Sequence, residues 1–197
     1  MEFGTTRAKI VSMEFTAMPD QAVEHPSLLP KEQPYLRIER TFIFVDLSGF
    51  SAYTRAQGAD RAAAVLTYFR HETRSVAAQR GVRVAKWLGD GAMLVGVEAG
   101  PSVALGAHLI AQLGSVGSSV RVGIATGTAL LFEGDDYIGE PVNLAARLCA
   151  AAHPGEVLAA CDPADLPYWV KVAGTHSIEL KGIGTVRDVL RLQPSVQ

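Results

Sequence analysis

Cysteine is scarce in this chain of 197 residues. Cys149 and Cys161 are the only two, which excludes a disulfide framework, and neither sits in a CxxC or Cys/His cluster with metal-ligand spacing. They are expected to be two buried thiols in a reducing compartment. His25, His71, His108, His153 and His176 form no HxxxH or HExxH pair, so no helix presents two imidazoles to a zinc ion. Charge of one sign is lacking too. Lys and Arg number 18 against 20 Asp and Glu, a net charge of -2 with a pI near 6.2, so no global basic field exists to hold a nucleic-acid backbone. The longest uncharged stretch, Ala99 to Val120, approaches the roughly 20 residues of a membrane span. It is interrupted by Pro101, His108, Gln112 and several glycines and serines, and reads as a soluble helix plus a loop. Met1 to Ser12 has no apolar core, so no signal peptide is expected, and the expected location is cytoplasmic without membrane attachment. No GxxxxGK[ST] loop, internal repeat or low-complexity tract occurs.

What is present is a foldable globular composition, 48% hydrophobic and 19% charged, at a length suited to one domain. Residues 1–36 carry Pro19, Pro26, Pro30 and Pro34 without a sustained period and are expected to be an extended or mobile lead-in to a domain over 37–197. Thr41 to Val45 is an aromatic and β-branched run, the pattern of a strand buried on both faces, ending at Asp46. Ala62, Val65, Leu66, Phe69, Val76 and Ala77 recur near a 3.6 period and predict a helix over Asp60 to Arg80. Val82 to Leu88 and Ala92 to Val97 predict a hairpin whose tight turn, Gly89-Asp90-Gly91, exposes Asp90. A helix from Pro101 to Leu113, a strand from Val120 to Ala125, a loop through Gly134, a helix from about Glu140 to Ala151 and strands at Val157 to Ala160, Thr175 to Leu180 and Val186 to Leu192 follow. This order predicts an α/β (α+β) sandwich of the ferredoxin-like split βαβ type, with helices on one face of a mainly antiparallel sheet.

In such a unit the first strand and the hairpin lie side by side, which brings Asp46 towards Asp90. Paired carboxylates repel unless a cation lies between them or one is protonated. With no His or Cys beside them, the matching ion is hard, Mg²⁺ or Mn²⁺, which fills its shell with substrate phosphates and suggests a nucleoside triphosphate. On spacing alone Asp46 is equally a helix cap and Asp90 a turn aspartate. The loop Leu47-Ser48-Gly49-Phe50-Ser51 leads into a short helix whose backbone N–H groups suit phosphates. Asn143 and Arg147, four residues apart, share one helix face, as a site or as a solvated polar stripe. Asp136 lies in a turn-forming loop, Lys181 near the final hairpin, and Lys86 alternates with Val84 and Leu88, so that an inward-aimed lysine needs a partner.

Taken in order, Phe44-Val45-Asp46-Leu47-Ser48-Gly49-Phe50-Ser51, Lys86-Trp87-Leu88-Gly89-Asp90-Gly91-Ala92-Met93, Arg121 to Gly127, Gly139-Glu140-Pro141-Val142-Asn143 through Leu148, and Glu179-Leu180-Lys181-Gly182 resemble the catalytic domain of the class III nucleotidyl cyclases, with its palm-like fold, over about Arg40 to Leu192. The resemblance implies an adenylyl cyclase that converts ATP to 3',5'-cyclic AMP and pyrophosphate. It casts Asp46 and Asp90, with the Leu47 carbonyl, as ligands of two Mg²⁺ or Mn²⁺ ions. Lys86 and Asp136 would read the purine, Asn143 orient the ribose, Arg147 stabilise the transferring phosphate, and Lys181 and the Phe50 loop hold the triphosphate. It also implies a homodimer with sites at the subunit interface. Two departures stand out: the segment from Gly127 to Asp136 is short, and Ala125 stands where many members have histidine.

Overall fold

The computed structural model describes residues 36–114 and 119–194. The lead-in expected over residues 1–36 lies, but for Leu36, outside the described residues.

Its core is a sheet whose strands run in the order β2 (Arg83–Leu88), β3 (Gly91–Gly96), β1 (Leu36–Ser48), β4 (Ser119–Phe132), β6 (Val157–Ala160), β8 (Gly184–Pro194), β7 (Val170–Leu180), with β5 (Asp136–Ile138) paired to β4. Every pairing is antiparallel except β4 with β6. The helices are α1 (Phe50–Gln57) and α2 (Ala59–Gln79) after β1, α3 (Ala99–Leu113) after the β2–β3 hairpin, and α4 (Glu140–Ala151) between β5 and β6. The split βαβ expectation and the mainly antiparallel sheet hold.

The helices do not stay on one face. Because side chains alternate along a strand, Ile43, Val45 and Leu47 of β1 join Val122 and Ile124 of β4 on one side, against Phe69 and Val76 of α2 and Val103 and Leu109 of α3. Phe42, Met93, Val95 and Ala125 project to the other side and meet Ala145 of α4. A strand apolar on both faces requires cover on both, and α4 supplies the second. Burying each such side chain contributes roughly 1.5–3 kcal/mol. Helix α4 approaches very closely, since a β-carbon at Gly123 would stand 2.1 Å from the Cys149 amide nitrogen and 2.2 Å from the Ala145 carbonyl.

Two strands outrun their sequence signals. β1 begins at Leu36 and β4 continues to Phe132 through the expected loop, because Arg40, Glu39 and Ile38 offer ladder partners to Gly127, Thr128 and Ala129. Positive φ at Glu133 (49°) and Gly134 (85°) then reverses the chain into β5, whose Tyr137 and Ile138 pair back with Leu131 and Leu130. Of the two thiols, Cys149 is buried as expected, whereas Cys161 is only half-buried.

Candidate active site

Asp46 occupies an even position of β1 and therefore faces α4. The register places it opposite Gly91 on one side and Arg121 on the other. The Leu47 amide donates to the Asp90 carbonyl at 3.3 Å, so the end of β1 and the hairpin turn do meet. Gly91 is needed there, because a β-carbon would lie 2.7 Å from the Val45 carbonyl oxygen.

The two carboxylates have different surroundings. Oδ2 of Asp46 accepts from Arg121 Nε at 2.8 Å and from Nη2 at 2.6 Å, while Arg121 Nη1 donates to the Ala150 carbonyl of α4 at 3.0 Å. Beside this pair lies a cavity of about 230 Å³ lined by Asp46, Leu88, Gly91, Arg121, Ala146 and Cys149. Asp90 instead lines an open cleft of about 590 Å³ with Phe50, Ser51, Arg55 and Arg70. Arg70 donates to the Gly89 carbonyl at 3.1 Å and stacks 5.1 Å over Trp87, steadying the turn that carries Asp90. Among the described residues no three His, Cys, Asp or Glu side chains cluster as a metal centre. The donor set nonetheless suits a hard cation: it is all oxygen, and among the described residues Arg121 bonds only Oδ2 of Asp46, which lines the cavity. The Leu47 side chain is buried and Phe50 opens α1 at the cleft.

Lys86 and Asp136, fifty positions apart in the sequence, come together: Nζ lies 2.6 Å from Oδ2. The partner expected for Lys86 is thus Asp136. The Tyr137 amide donates to Asp136 Oδ1 at 2.8 Å. The hydrogen bond from Lys86, and then that from Tyr137, hold the Asp136 carboxyl below the usual aspartate range. Both side chains stay accessible, at 43% and 41%.

Asn143 and Arg147 are exposed on one face of α4 and line a hollow of about 320 Å³ with Ala146, Gly182 and Ile183. Pro141 suits the first turn of this helix, and Leu148 anchors its buried side. Lys181 immediately precedes Gly182 in the exposed β7–β8 turn. Ala146 borders this hollow and the Asp46 cavity alike. Among the described residues no hydrogen bond or ion pair joins Asp46 or Asp90 to Asn143, Arg147 or Lys181.

Sequence reasoning missed Arg121, Arg83, Tyr137 and Arg70 as neighbours of these groups. Arg121 had a usable signal, as the lone charge in the apolar run Val120 to Ala125.

No family model matches the chain. An uncharacterized protein of Mycobacterium tuberculosis is 41% identical over 133 residues, 66% of this chain and 35% of that protein. An adenylate cyclase of Streptomyces coelicolor is 32% identical over 117 residues, 58% of this chain and 30% of that protein. The chain therefore spans about a third of the length of these curated relatives. Among solved structures, the catalytic core of a rhodopsin-guanylyl cyclase with converted specificity, in complex with ATPαS, superposes with TM-score 0.71 at 17% identity, covering 82% of this chain and 99% of that one. The adenylyl cyclase CyaB of P. aeruginosa gives TM-score 0.63 at 24% identity over 84% of this chain and 97% of that one. The fold is that of a nucleotide cyclase. More particularly, it is the fold of the class III adenylyl and guanylyl cyclase catalytic domains. No helix among the described residues is long and apolar enough to cross a membrane.

Proposed function

We propose that the chain is an adenylyl cyclase domain that converts ATP to 3',5'-cyclic AMP and pyrophosphate. The observation that carries this reading is the Lys86–Asp136 pair, 2.6 Å apart and open to solvent. A lysine donates to a ring nitrogen of adenine and an aspartate accepts from its exocyclic amine, whereas guanine presents the opposite polarity on that edge.

The remaining assignments follow the chemistry of each group. The ribose 3'-oxygen attacks the α-phosphorus and pyrophosphate leaves. Asp46 and Asp90 would hold two divalent cations, Mg²⁺ or Mn²⁺, with the Leu47 carbonyl as a further ligand. When bound, such ions lower the pKa of the attacking hydroxyl and neutralise the phosphates. Asn143 orients the ribose, and Arg147 meets the charge that develops on the transferring phosphate. Lys181 and the Phe50 loop anchor the triphosphate. Asp46 must give up part of its bond with Arg121, which stays tethered to α4 through the Ala150 carbonyl.

Asp46 and Asp90 line hollows that contain neither Asn143 nor Arg147, which supports a homodimer in which each site takes its aspartates from one subunit and its purine, ribose and phosphate contacts from the other. A non-catalytic nucleotide-binding role has one observation in its favour, the engagement of Asp46 by Arg121. Purified protein incubated with ATP or GTP and Mg²⁺ or Mn²⁺ separates the readings. The expected product is cyclic AMP, formed from ATP at least tenfold faster than cyclic GMP from GTP, a ratio worth about 1.4 kcal/mol. ATP binding without turnover under either metal supports the non-catalytic reading, and preferential cyclic GMP formation contradicts the purine assignment.

A further inference from the structure

Lys86 and Asp136 belong to elements that are not neighbours in the sheet. β2 lies at one edge of the sheet, while β5 hangs from β4, with β3 and β1 between β2 and β4. A second contact spans the same gap. Arg83, three residues before Lys86, donates from Nη2 to the Tyr137 hydroxyl at 3.0 Å, and its guanidinium lies 5.8 Å from the Tyr137 ring centroid. Tyr137, next to Asp136, is held from three sides. It pairs with Leu131 in β4, its ring meets the fully buried Phe42 edge-on at 5.3 Å and 68°, and its hydroxyl takes the Arg83 bond.

We propose that Arg83 and Tyr137 form a brace that sets the spacing of Lys86 and Asp136, and are positioning residues for purine choice. This rests on the reading of Lys86 and Asp136 as the purine-recognition pair. An ion pair as exposed as this one contributes little order by itself, because water screens it and the lysine stem has many rotamers. Selecting one purine edge over another requires both groups to be fixed before the base arrives. The brace provides that fixity from outside: Arg83 ties β2 to β5, and the Tyr137 amide, on Asp136 Oδ1 at 2.8 Å, passes the constraint to the carboxylate. Both residues act through Lys86 and Asp136 rather than on the base.

The test uses 3'-deoxy-ATP and 3'-deoxy-GTP, which cannot cyclise, titrated calorimetrically into the full chain with Mn²⁺. Tyr137→Phe removes the hydroxyl and keeps the ring on Phe42. It is expected to weaken 3'-deoxy-ATP about fivefold, the worth of one hydrogen bond, and 3'-deoxy-GTP less than about twofold. With ATP as substrate, KM rises by the same factor while kcat holds. Arg83→Ala matches Tyr137→Phe, the double variant is no worse than either, and Arg83→Lys restores part of the loss. An unchanged ATP-to-GTP ratio in Tyr137→Phe, or additive losses in the double variant, overturns the brace. Asp136→Asn distinguishes the levels. If it abolishes discrimination and Tyr137→Phe does not, the brace alone fails; if wild-type protein does not discriminate at all, the purine reading fails and the brace with it.

Discussion

Cys149 lies where several groups of the candidate site converge: its thiol donates to the Arg121 carbonyl at 3.5 Å and it lines the cavity beside Asp46. Burial, with the nearby Asp46 charge second, pushes this thiol up to about 12, against an opposing pull from the Arg121 guanidinium. A raised pKa means the neutral thiol is what the fold favours. That contribution to stability is present below pH 9.0 and lost as pH rises towards about 12. At pH 8 the native chain is therefore expected to leave Cys149 unmodified by iodoacetamide over a period in which urea-unfolded chain is fully labelled, as read by peptide mass spectrometry. Equal labelling in both states contradicts the burial described here. The single-residue roles were unevenly legible. Asp46 and Asp90 stand out because each ends or interrupts an apolar run. Arg121 does not declare its partner, since only the β1–β4 register sets it across from Asp46. Lys86 was visible as a misplaced charge, but no local period connects it with Asp136; the family resemblance supplied that link.

Among the elements, α4 matters most, because it carries Asn143 and Arg147 outward while its inner side rests on β4. Its seat depends on Gly123, where any side chain would meet helix backbone within 2.2 Å rather than a yielding side-chain tip. Gly123→Ala is expected to cost at least about 2 kcal/mol, lowering Tm by roughly 4–8 °C in a chain of this size, with the midpoint read by circular dichroism. A Tm within about 1 °C of the parent would show that α4 sits further from the sheet than described. The elements were legible where periodicity was strong: the long amphipathic helix α2 is expected from Asp60 to Arg80 and found over Ala59–Gln79. Strand ends were not. Thr126-Gly127-Thr128 has the composition of a loop, yet these residues continue β4 because the first part of β1, itself without an apolar run, lies beside them. The side taken by α4 was hidden for a related reason: sequence order sets the βαβ sequence of elements, whereas the face a helix covers depends on which apolar side chains remain uncovered after α2 and α3 have packed.

At the scale of the whole molecule, the groups of the proposed site lie in separate hollows of one chain: Asp46 in the cavity beside Arg121, Asp90 in the open cleft at the hairpin turn, and Asn143 and Arg147 on α4 beside the β7–β8 turn. The proposed self-complementary pair of chains would bring these groups together twice over. The measurement that tests this most directly mixes two inactive variants, Asp46→Ala and Asn143→Ala, and follows cyclic AMP formation with the wild-type chain as reference. Each variant alone should be nearly silent. Random pairing makes half of the dimers hybrids with one intact site each, so the mixture should regain up to about a quarter of wild-type activity. A mixture as inactive as its components, beside an active wild type, would contradict an active site shared between subunits.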